Sequence, residues 1–130
     1  MRIPFPNSNS RLAQSSHMYI CLEEGSNKKM VKCQTERPTH LISTNPPFRF
    51  VSEEADINRN PFNNKTIIDC DKTFSINNVE IDSSLLTTSR RDICDDLLDK
   101  INTEISSQAC GNEVLDTQSL ISLNHLIRTR

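Results

Sequence analysis

The sequence predicts a small α+β chain, mainly α at its C-terminus, where two helices form a hairpin. The N-terminal region is expected to be partly disordered, with one or two β-hairpins between. Three observations carry this. From Ser89 to Ser107, Ile93, Cys94, Leu97, Leu98, Ile101 and Ile105 recur at three- and four-residue steps, which places them on one side of a helix. Leu120, Leu123 and Ile127 form a second stripe of the same period after Asp116. Upstream, apolar runs of period two bracket turn-forming residues, whereas residues 1–16 show little periodicity of either kind.

Composition narrows the function classes. Ile, Leu, Val and Phe make about a quarter of the 130 residues, a little above the level at which a highly charged chain stays disordered. The net charge is only −2, so self-repulsion does not force expansion. Gly25 and Gly111 are the only glycines, so neither GxGxxG nor GxxxxGK[ST] can be written and a phosphate-cradling loop of the usual kind is excluded. Lys and Arg total 15 against 17 acids and occur in scattered pairs, Lys28-Lys29 and Arg90-Arg91. No basic stripe results, and nucleic acid is not an expected partner.

Cys21, Cys33, Cys70, Cys94 and Cys110 are odd in number, widely spaced and without a CxxC pair. The first sixteen residues lack an apolar signal core, and no stretch approaches the length of a membrane span. The expectation is an intracellular, reduced chain of cytoplasm or nucleus with no membrane contact. The sequon Asn64-Lys65-Thr66 is read as a chance match.

In order along the chain, residues 1–16, with Pro4 and Pro6, read as a disordered tail. Met18–Glu24 and Met30–Glu36 flank Gly25-Ser26-Asn27-Lys28-Lys29 and predict a β-hairpin over 17–36. Pro38, Pro46, Pro47 and Pro61 make 37–65 a Pro-rich loop or linker, in which Phe48, Phe50 and Val51 could form a short strand. The β-branched and aromatic run Thr66–Asp82 predicts a strand, or a hairpin turned at Asn77-Asn78, two residues that tolerate positive φ. Ser89-Arg90-Arg91-Asp92 matches a capping box at the start of the long helix. Gly111 marks its stop. Asp116 is the expected N-cap of the second helix, with Leu115 placed to staple onto Leu120 and with His125, Arg128 and Arg130 near its C-terminal dipole. Residues 89–130 thus read as a helical hairpin.

Two stretches could carry chemistry. Ile67-Ile68-Asp69-Cys70-Asp71-Lys72-Thr73 resembles the first motif of the haloacid dehalogenase phosphatases over about seven residues. The resemblance implies Asp69 as phosphoryl-accepting nucleophile, Asp71 as acid/base, Thr73 as a loop hydroxyl, and Mg²⁺ on the carboxylates within a doubly wound domain. Lys72 stands where that family has Gly, and the residues after Thr73 read as helices without strand–loop–helix alternation. His17, Cys21, Cys33 and His40 form a set of ligand types that zinc accepts, although no pair has the short spacing of a knuckle. Asn60-Pro61-Phe62 is the tripeptide that EH-type adaptor domains read.

The acids Asp92, Asp95, Asp96 and Asp99 are read as the solvated face of the long helix. Its dry face, with that of the second helix, is larger than some forty residues can bury alone, so it needs the upstream strands or a partner. The preferred expectation is a non-enzymatic protein–protein interaction module without a cofactor. Its partner, another protein, would dock on Ile93, Leu97, Leu98, Ile101, Ile105, Leu120, Leu123 and Ile127.

Overall fold

Among the described residues strands outnumber helices, which overturns the expectation of a mainly α chain. The computed structural model describes residues 18–23, 25, 27–37, 49–87, 90–107, 110–124 and 126–129. The expected disordered tail, His17, His40, Phe48, the capping residue Ser89 and His125 lie outside the described residues. The elements are β1 (Met18–Glu23), β2 (Lys28–Thr35), β3 (Phe50–Glu53), β4 (Thr66–Asp69), β5 (Lys72–Ile76), β6 (Val79–Ile81), a 3₁₀ turn (Ser83–Leu85), α1 (Asp95–Ser107), β7 (Gly111–Val114), α2 (Thr117–Leu123) and β8 (Ile127–Thr129).

β2 is the centre of a six-stranded mixed sheet. β1 pairs antiparallel along one of its edges, Met18 opposite Cys33 and Cys21 opposite Met30. Along the other edge, β4 pairs with Cys33–Thr35 and β5 with Lys28–Met30, both antiparallel. β4 and β5 are therefore two halves of one bent line, broken at Cys70-Asp71. β3 lies antiparallel outside β4, and β7 lies parallel outside β5.

Successive strand residues face opposite sides of the sheet, and this divides the core in two. Val31 and Cys33 face one side, where Leu97 and Ile101 of α1 meet them together with Ile20, Ile68, Cys70 and Phe62. Met30 faces the other, with Phe74, Ile76, Val79, Leu115, Leu120 and Ile127. The apolar stripe of α1 is thus covered by its own upstream strands. Burying Leu97 and Ile101 completely contributes roughly 1.5–3 kcal/mol each. The exposed Lys100–Asp96 pair on the wet side, at 3.6 Å, adds little by comparison.

The helical hairpin is corrected as well. β7 stands between the helices and pairs with β5, Lys72 opposite Gly111 through Ser75 opposite Val114, so α1 is a crossover between parallel strands. Gly111 is not the stop of the long helix, which ends at Ser107; its N–H donates to the Asp71 carbonyl (3.0 Å) and it opens β7. The buried Thr73 hydroxyl and that of Ser75 donate to Asn112 Oδ1 at 2.7 and 2.9 Å, which adds to the ladder bonds holding this polar segment on the sheet.

Helix boundaries shift for identifiable reasons. α1 starts at Asp95, after Cys94 has accepted the first helical bond from the Leu98 N–H (3.0 Å) and donated its own N–H to the Arg59 carbonyl (2.7 Å). Arg90 and Asp92 stay out of the helix; they pair with each other at 3.0 Å, and the Arg90 guanidinium donates to the Ile57 carbonyl. α2 has the expected cap, Asp116 Oδ2 accepting from the Ser119 N–H at 3.0 Å, and Leu115 and Leu120 share one core cluster. It ends at Leu123, because Ile127–Thr129 pairs antiparallel with β6. Arg128 accordingly meets Asp82 at 2.7 Å and not the helix C-terminus.

Asn77-Asn78 does not fold β6 back onto β5. Asn78 adopts φ 56° and redirects the chain into the two-stranded β6–β8 sheet. That left-handed position sets a local test. Asn78→Val is expected to lose about 1–2 kcal/mol, and Asn78→Gly to stay within about 0.5 kcal/mol of the parent. Urea unfolding of the two variants checks the difference.

Candidate functional site

The bend between β4 and β5 brings together Arg49, Asp69, Cys70 and Asp71. Asp69 ends β4 half-buried, and its Oδ1 accepts the Asp71 N–H at 2.8 Å. The Cys70 N–H donates to the Arg49 carbonyl (3.0 Å), and the Arg49 N–H donates to Asp71 Oδ1 (3.0 Å). The Arg49 guanidinium lies 3.8 Å from Asp71 Oδ1 and donates to the carbonyls of Cys70 (3.3 Å) and Glu104 (3.4 Å). It links the bend to β3 and to the last turns of α1. Each of these contacts holds the break in the strand, where a ladder would leave backbone groups unpaired.

Burial raises one carboxyl and three thiols at or near this bend. Burial raises the Asp69 carboxyl above its ordinary value, and Asp71 adds to the rise, against the opposing pull of the Asp71 and Lys72 backbone N–H groups and Lys32. Burial pushes the Cys70 thiol up to about 12 and raises Cys33 and Cys110 in the same direction. All three stay protonated at neutral pH and are poor nucleophiles.

Of the motif resembling the phosphatases, Asp69 and Asp71 are neighbours, but the Thr73 hydroxyl is turned to Asn112 under β7. β4 runs antiparallel to both β2 and β3, in place of the doubly wound parallel sheet that the resemblance implies.

A raised acid favours the protonated form in the folded state, so ionised Asp69 lowers stability above its folded pKa. The penalty is relieved as pH falls through that value. Asp69→Asn is therefore expected to melt higher than the parent at neutral pH, with the gap closing on acidification. Melting temperatures from pH 7 downwards check this. A phosphatase would instead lose all Mg²⁺-dependent turnover in the same variant.

Of the zinc set, Cys21 and Cys33 are within the described residues. Met18 pairs with Cys33 and lies three residues from Cys21, so the two thiols face opposite sides of the sheet and cannot share an ion. Among the described residues no group of three or more His, Cys, Asp or Glu could hold a metal. Asn60-Pro61-Phe62 is not displayed for an adaptor domain; Asn60 is fully buried and Phe62 lies in the α1-side core.

The residues expected to bind a partner divide between two cores. Leu97, Ile101, Leu120 and Ile127 are buried, and Ile93 and Ile105 pack partly buried beside Leu97 and Ile101. Leu98 and Leu123 are half-buried. The structure does not bring these eight together as one face.

The exposed feature that sequence reasoning missed is the outer edge of β7. The N–H groups of Gly111 and Leu115 donate inwards to Asp71 and Ser75 of the β5 line. By strand alternation, the backbone groups of Asn112 and Val114 point outwards, and no strand among the described residues pairs with them. Val114 is 64% exposed. Gly-Asn-Glu-Val carries a single β-branched residue, too little signal to mark a strand.

No family model matches this chain, and neither a curated protein nor a solved structure matches it. Among the described residues, no helix is long and apolar enough to cross a membrane.

Proposed function

We propose that this chain is a non-enzymatic protein-interaction module that adds an extended segment of a partner protein to the outer edge of β7. The carrying observation is the outward-facing backbone of Asn112 and Val114 beside the exposed Val114 side chain. Strand addition takes its affinity from such main-chain donors and acceptors and its selectivity from the neighbouring side chains. The edge is also pre-organised. Asn112 is held by Thr73 and Ser75, and Lys72 meets Glu113 at 3.3 Å, so little ordering is left for the partner to impose. The odd count of five widely spaced cysteines without a CxxC pair supports an intracellular, reducing setting.

The test uses a substitution that blocks the edge and spares the fold. The Val114 N–H faces outwards, so Val114→Pro removes a donor on the partner side without removing a bond to β5. Peptides selected from a random display library on the intact protein are expected to bind this variant at least about tenfold more weakly, a difference of about 1.4 kcal/mol. The urea midpoint is expected to stay near that of the parent. Selected peptides that bind Val114→Pro and parent equally would overturn the proposal.

A further inference from the structure

We draw no further inference here: the strongest candidate, the outer edge of β1 with the exposed Cys21 thiol beside it, carries nothing, because a bulge between Cys21 and Glu23 already takes that edge out of regular register and nothing in the structure shows what covers it.

Discussion

Ile101→Ala is expected to destabilise the protein by about 2–5 kcal/mol, a large part of the roughly 5–15 kcal/mol that holds a small domain folded. Ile101 has no exposed surface and stands with Leu97 against Val31, Cys33, Ile68 and Cys70, so truncation leaves a void between helix and sheet. The surrounding strands, fixed by ladders on both edges of β2, have little freedom to collapse into that void. Leu98→Ala, one residue along and half-buried, is expected to cost much less. Chemical unfolding of the two variants separates a core helix from a docking helix. If α1 offered its stripe to a partner, Ile101→Ala would leave the free protein's unfolding midpoint almost unchanged.

The second large effect is expected at Asn60. Its side chain is fully buried and bonds four ways: Nδ2 donates to Glu53 Oε2 (3.1 Å) and the Glu54 carbonyl (2.9 Å), while Oδ1 accepts from the N–H groups of Asp56 (3.2 Å) and Phe62 (3.1 Å). Asn60 thereby shapes the loop that follows β3 and directs Phe62 into the core. The adjacent Arg59 ties the same loop to α1, meeting Glu53 at 2.9 Å and Asp96 at 3.0 Å. Asn60→Ala takes the side-chain partner from the buried Phe62 N–H, the Asp56 N–H and the Glu54 carbonyl, while Glu53 keeps Arg59, and is expected to cost about 2–4 kcal/mol, since a buried group left unmet carries its own desolvation penalty. Thermal melts give the size of the loss. Faster exchange of the Phe62 amide would place it in the loop, and an unaltered melt would contradict this role for Asn60.

Local signals in the sequence were legible where one residue decides its own surroundings. Met18, Ile20 and Leu22 alternate as an edge strand must, Asp116 caps α2, and Leu115 packs with Leu120. Asn78 takes the positive φ that its side chain tolerates. Signals that depend on distant partners were not legible. The three- and four-residue spacing of α1 identifies a dry face but cannot say whether a sheet or another protein covers it. Leu123 and Ile127 share a helical period by coincidence, because a three-residue strand is too short to show period two. β7 and the bend at Cys70-Asp71 depend on residues far away in sequence, Asp71 with Gly111 and Arg49 with Asp71. The acids of the phosphatase-like motif, two residues apart, are close in space because Asp69 Oδ1 accepts the Asp71 N–H across the bend.

Amide hydrogen exchange on the free, intact protein tests most directly whether α1 belongs to the core of this sheet. The amides of Leu97 to Ile105 are expected to open with the same free energy as those of Val31, Cys33 and Ile68, because helix and strands form one cooperative unit. Exchange in α1 that is orders of magnitude faster, while β2 and β4 stay protected, would contradict it.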